Sequence, residues 1–188
     1  MYGLIAIFDE QTEQIIKDIW KELKEKSISF YANEVEDRIP HITLAGYNDL
    51  NLSYFTKQLD VYYEGKQAID ITFNTIGSFL NSGALFLSPN VIVDLFELHT
   101  NHHKYFDQFK DDPNSMYLPN RWIPHCTIAN RLSPEKLSKA FDYCSKRNTT
   151  ISGQIKEIAL IDVSIKNKAP IVYSKKFIEK YYSLIKID

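Results

Sequence analysis

Ile39-Pro40-His41-Ile42-Thr43-Leu44-Ala45 and Ile123-Pro124-His125-Cys126-Thr127-Ile128-Ala129 are nearly the same heptapeptide, 84 residues apart. Five of the seven positions are identical, and a sixth exchanges Leu for Ile. Both alternate in the manner of a half-buried strand. Side chains two apart on a strand share a face. His41 and Thr43 therefore project together, as do His125 and Thr127, while Ile42, Leu44, Cys126 and Ile128 point into packing. Each strand offers one imidazole and one hydroxyl about 7 Å apart.

The flanking sequence repeats as well. Residues 2–8 form an apolar run that reads as a buried strand, and Asp9 is placed to cap an amphipathic helix over 10–26. The first heptapeptide lies in a strand over 39–47, followed by a helix over 52–63. Strands over 69–80 and 84–89 are joined at Asn81-Ser82-Gly83. A helix over 91–110 leads to a strand over 121–131 that carries the second heptapeptide. Ser133-Pro134 then starts another helix, and a hairpin over 154–165 and 170–178 follows. The order strand, helix, strand, helix, hairpin recurs as helix, strand, helix, hairpin. The reading is an α+β chain of two pseudo-symmetric lobes, with antiparallel sheets lining a central cleft and helices outside. It spans 1–188 as one bilobal domain, with motif one in a repeat at about 1–83 and motif two in a repeat at about 84–188. No linker rich in Gly, Ser or Pro separates them.

Composition narrows the function. The 22 Lys and Arg against 24 Asp and Glu exclude a protein that holds long duplex nucleic acid by bulk charge. They leave room for a small basic pocket. No apolar run approaches the roughly 18 residues of a membrane span, and the acidic start is unlike a signal peptide. Two cysteines, Cys126 and Cys144, fit a reduced cytoplasmic protein better than a disulfide framework. A monomer is expected.

If a twofold relates the lobes, two imidazoles and two hydroxyls converge. One neutral His can take a proton from water or a ribose hydroxyl, and the other, protonated, can give one to a leaving oxygen. The Thr hydroxyls can donate to non-bridging phosphate oxygens as charge builds there. That is phosphodiester chemistry with no cofactor and no metal. His99 and His103 stand at ligand spacing on the third helix, but no His-Glu-x-x-His pattern or nearby Cys accompanies them, so packing is the expected role. Tyr47 and Arg131 each follow their His by six residues and share its face if the strand continues. Arg131 would then clamp a phosphate, and Tyr47 would stack on a base or donate to it. Arg38 and Arg121 read as solvated charges at strand ends. Cys126 faces away from the His line.

His41-Ile42-Thr43-Leu44 and His125-Cys126-Thr127-Ile128, one per lobe, resemble the paired motifs of the 2H phosphoesterase superfamily, which includes the 2′-5′ RNA ligase-like proteins and the 2′,3′-cyclic phosphodiesterases. Trp122-Ile123-Pro124-His125 is also similar to the lead-in of the second motif in the bacterial ligase-like branch. The resemblance implies the bilobal fold and metal-independent hydrolysis at a nucleotide or RNA terminus bearing a 2′,3′-cyclic phosphate or 2′,5′ linkage, with ligation as the reverse reaction. His41, Thr43, His125 and Thr127 carry over as the catalytic set. The alternatives are a non-catalytic sensor of nucleotides or RNA ends on the same scaffold and, less in keeping with the net charge of −2, an RNA-interaction protein using a basic face.

Overall fold

A computed structural model describes residues 1–147 and 150–180. The final residues of the second expected repeat, 181–188, lie outside the described residues. The observed order is β1 (Tyr2–Phe8), α1 (Glu10–Glu25), β2 (His41–Tyr47), α2 (Leu52–Tyr63), β3 (Ile69–Gly77), β4 (Leu85–Pro89), α3 (Val93–Tyr105), β5 (Cys126–Ala129), α4 (Pro134–Ser145), β6 (Ile151–Asp162) and β7 (Ile171–Lys176). This is the α+β order expected from the repeat.

The seven strands form one antiparallel sheet, β2-β1-β6-β3-β4-β5, with β7 also on β6. The long strand β6 joins the two halves. Ile155 pairs with Phe8 of β1 on one side and Ile69 of β3 on the other. Residues 151–155 run beside β3, and residues 157–161 beside β7. Each half of the sheet therefore draws strands from both sequence repeats: hairpin β6–β7 pairs with β1, and hairpin β3–β4 pairs with β5. The sheet curls until its edges β2 and β5 come within 8 Å, Cα to Cα.

Sequence alternation decides which face each residue covers. Leu4, Ala6 and Phe8 of β1 lie in the main core with Ile16, Ile19, Trp20 and Leu23 of α1. Ile5 and Ile7 turn to the opposite face, where they meet Ala159 and Ile161 of β6. Burial of both faces explains why β1 reads as an unbroken apolar run. Asp9 caps α1 by accepting from the Thr12 N–H at 2.9 Å, and it also accepts from the Gln154 N–H. A Cβ at Gly153 would land on Thr12 Oγ1, so the start of α1 sits this close to β6 only over a glycine.

Two expected elements are shorter than their periodicity suggests. The helix expected over 91–110 is α-helical only to Tyr105, and Asp107–Phe109 tightens into a 3-10 turn. The strand expected over 121–131 shrinks to Cys126–Ala129. Pro124 lacks the N–H needed to extend a ladder, and Asn120 and Arg131 hold positive φ of 69° and 55°.

Candidate active site

His41 and Thr43 on β2, and His125 and Thr127 beside and on β5, line one cleft of about 1380 Å³ where the sheet edges meet. Their inward partners are buried: Ile42 and Leu44 on one strand, Cys126 and Ile128 on the other. Burial pushes the Cys126 thiol up to about 12, which makes it a packing group rather than a nucleophile.

The two halves of the site are built alike. His41 Nδ1 lies 2.8 Å from the Ile39 carbonyl, and His125 Nδ1 lies 2.7 Å from the Ile123 carbonyl. A carbonyl only accepts, so each Nδ1 carries the proton and each neutral ring keeps Nε2 as its basic nitrogen. Thr43 and Thr127 are braced through their carbonyls: Trp122 Nε1–H donates to Thr43 O at 2.8 Å, and Trp20 Nε1–H donates to Thr127 O at 3.2 Å. The first brace runs from the segment before β5 to β2, the second from α1 to β5. Each motif is thereby tied to an element of the other repeat.

A β-bulge follows each Thr. In the β1–β2 register, Ile5 faces Thr43 and Leu4 faces Ala45, which leaves Leu44 extra. In the β4–β5 register, Phe86 faces Thr127 and Leu85 faces Ala129, which leaves Ile128 extra. An extra residue reverses the alternation beyond it. Tyr47 accordingly joins the packed side. It is buried, and its hydroxyl meets His102 Nε2 at 2.7 Å. Arg131 lies beyond the end of β5 and pairs with Glu34, with 72% of its side chain exposed. The structure brings His41, Thr43, His125 and Thr127 together; Tyr47 borders the same cleft but turns its hydroxyl to His102, and the Arg131 guanidinium lies outside the cleft.

The α3 histidines back the first motif. His103 Nε2–H donates to Leu44 O at 3.1 Å, at the bulge itself. His99 Nε2–H donates to Tyr117 O at 2.7 Å, and its ring stacks on Trp122 at 3.9 Å. His102 lies between Tyr47 and Tyr63, whose hydroxyl is 3.0 Å from Nδ1. The spacing that invites a metal reading thus serves packing and hydrogen bonding, as expected. Among the described residues no cluster of His, Cys, Asp or Glu is arranged to hold a metal.

The surroundings break the symmetry. The His125 ring lies against Phe79 and Phe86, at centroid distances of 4.8 and 5.2 Å. On the His41 side stands Arg38, its Cζ 3.8 Å over the Tyr31 ring. Burial drives His41 down to about 4, a carbonyl bond from Ile39 opposes this, and the Arg38 charge adds to the fall. Burial lowers His125 as well. Arg38, which the sequence offers as a solvated strand-end charge, instead lines the cleft with its Nε buried. Its signal was position: it stands three residues before His41, where Trp122 stands before His125.

An antiparallel α+β fold that turns two His-x-Thr pairs onto one cleft defines a 2H phosphoesterase architecture. The chain belongs to the 2′-5′ RNA ligase superfamily, whose family model matches residues 9–165. Solved structures share the fold at low identity. The TT0787 protein of Thermus thermophilus is 12% identical with a TM-score of 0.63, covering 96% of this chain and 99% of its own. Escherichia coli LigT complexed with 3′-AMP is 13% identical with a TM-score of 0.59, covering 94% and 97%. A search of curated protein sequences finds no match. No helix among the described residues is long and apolar enough to cross a membrane.

Proposed function

We propose that this chain is a metal-independent phosphodiesterase acting on nucleotide or RNA ends that carry a 2′,3′-cyclic phosphate or a 2′,5′ linkage. The observation that carries this reading is the matched pair of imidazoles on one cleft, each with Nδ1–H held by the carbonyl two residues back. Water adds to phosphorus as one neutral Nε2 removes its proton. The P–O bond to the leaving ribose oxygen breaks as the other, protonated imidazole delivers a proton there. One proton is taken up and one released, so the pair finishes with its roles exchanged and returns by proton transfer through solvent. Thr43 and Thr127 donate to the non-bridging oxygens, and the indole braces hold their backbone in place. The imidazoles perform both proton transfers, so the reaction calls for no metal. With a ribose hydroxyl in place of water as the nucleophile, the same steps join two ends: its oxygen bonds to the phosphorus of the cyclic phosphate as the ring P–O bond breaks and the ring oxygen takes a proton.

The LigT complex with 3′-AMP, a nucleotide bearing a terminal phosphate, supports a nucleotide end as the ligand. The free thiols Cys126 and Cys144 fit a cytoplasmic setting, and we read the working unit as a monomer. The test is hydrolysis of a short oligonucleotide with a 2′,3′-cyclic phosphate in excess EDTA, beside His41→Ala and His125→Ala. The expected result is turnover by the wild type and a loss of roughly 10²–10⁴ in each variant. Binding without turnover would replace the enzyme with a sensor of nucleotide ends, and turnover unaffected by either variant would overturn the mechanism.

A further inference from the structure

We propose that Arg38 is the anion-binding residue of the cleft, donating through its Nε–H edge to a non-bridging oxygen of the phosphate that lies between the two histidines. The proposal rests on the reading of the cleft as a phosphate-ester site, and it adds a group that neither motif contains.

Three observations carry it. Arg38 lines the same cleft as His41, His125, Thr43 and Thr127. Its Nε is buried and is the only buried side-chain nitrogen or oxygen among the described residues without a hydrogen-bond partner. A buried N–H left without an acceptor is costly, and a charged one more so. Such a donor is retained where a ligand supplies the acceptor. Two carboxylates of the same segment are engaged elsewhere: Glu34 pairs with Arg131, and Glu36 pairs with Lys168 at 2.7 Å.

The guanidinium is also held in a fixed place. Its Cζ sits over the Tyr31 ring, and Trp20 meets the same ring at 5.8 Å, edge to face. Seated on an aromatic face, this guanidinium keeps its Nε–H edge for an acceptor in its own plane, the geometry that suits a phosphate oxygen. The Tyr31 hydroxyl lies beside the Thr127 side chain, so this one ring connects Arg38 to the second motif.

The pseudo-symmetry sharpens the point. Arg38-Ile39-Pro40-His41 matches Trp122-Ile123-Pro124-His125 position for position. In the second repeat this position is structural, because the Trp122 indole braces Thr43 O. The equivalent brace on Thr127 O comes from Trp20 on α1. The position before His41 is thereby released from bracing, and it holds a cation.

The experiment is a titration with inorganic phosphate, followed by calorimetry and by the arginine Nε–H resonances of the ¹⁵N-labelled protein. Wild type is expected to bind, with the Arg38 Nε–H signal moving as the site fills. Arg38→Met is expected to weaken binding roughly 10- to 100-fold, the range for a hydrogen bond to a charged group. Arg38→Lys keeps the charge without the fork and should fall between, while Arg121→Met should match wild type. Arg38→Met binding as tightly as wild type would overturn the proposal. So would saturation that leaves the Arg38 signal in place, or no phosphate binding by the wild type at millimolar concentration. The resonance is read on the unaltered chain, so it decides the matter even if Arg38→Met fails to fold. Arg38-dependent phosphate binding without hydrolysis of the cyclic phosphate would sink the proposed reaction and leave this residue's role intact.

Discussion

Replacing His99 by Gln should make the protein markedly less sensitive to mild acid. His99 is 2% exposed, and burial drives its imidazole down to about 4. In the unfolded chain the same ring titrates near 6.5. Between those values the unfolded state binds more protons than the folded one, so stability falls as pH drops through the window. The shift amounts to ~3 kcal/mol across the whole window, of which ~2 kcal/mol is lost between pH 7 and pH 5. His102, fully buried and shifted the same way, adds to the loss. Asp9 and Glu22, whose carboxyls are held below their ordinary values, keep their contributions at pH 5 and lose them only further down. A Gln amide can still donate to Tyr117 O, so the variant removes the titration and keeps the donor. The assay is urea unfolding at pH 7 and pH 5. The wild type should lose at least ~2 kcal/mol, and His99→Gln should lose ~2 kcal/mol less than wild type. Equal losses in the two proteins would refute the reasoning, as would a wild-type stability that does not change between the two pH values.

Two other substitutions test the frame around the site. Trp122→Phe removes the donor to Thr43 O and leaves a carbonyl unpaired, which should cost ~1–3 kcal/mol in thermal or urea unfolding and lower turnover at least tenfold; full activity would show that the brace does not position the motif. Tyr47→Phe strips the hydroxyl from His102, so it should destabilise by ~1–3 kcal/mol while the KM of the folded fraction stays unchanged, and a raised KM would show that the hydroxyl serves substrate as well as His102.

Strand alternation was enough to place His41 with Thr43 and His125 with Thr127, because a period of two holds wherever the ladder is regular. For Tyr47, which borders the cleft but turns its hydroxyl away, the alternation changes at one definable point. The extra residue Leu44 is invisible in composition, since an apolar residue between Thr43 and Ala45 fits a regular strand as well as a bulged one. Arg131 failed for a related reason, as β5 ends at Ala129 and the chain turns through positive φ. The strand exchange through β6 was beyond reach. Nothing in residues 151–162 announces that one strand serves both halves of the sheet, because pairing partners are chosen by long-range packing and not by local pattern. The structural role of the tryptophans was hidden for the same reason, since each indole reaches a carbonyl in the other repeat.

The repeat presents the reaction with a difficulty that the surroundings resolve. Acid and base must differ when the bond breaks, yet the scaffold supplies two imidazoles in the same tautomer on equivalent carbonyls. Neighbours distinguish them. Burial holds both rings toward the neutral form, but only His41 also feels the Arg38 cation, which opposes a second positive charge beside it. Under the proposed reaction this makes His41 the base in the hydrolytic direction and gives the acid's proton to His125, flanked by Phe79 and Phe86. Arg38→Gln removes the opposing charge and should let the His41 pKa rise from about 4, while burial, the larger cause, still holds it below the ordinary imidazole value. The base must be deprotonated to act, so the acidic limb of the kcat/KM profile should move to higher pH in the variant, separately from any uniform loss through weaker phosphate binding. A profile that falls at every pH without moving would leave Arg38 holding the phosphate while showing that its charge does not set the division of labour between the histidines. A basic limb that moves to higher pH while the acidic limb stays in place would assign the base to the other ring.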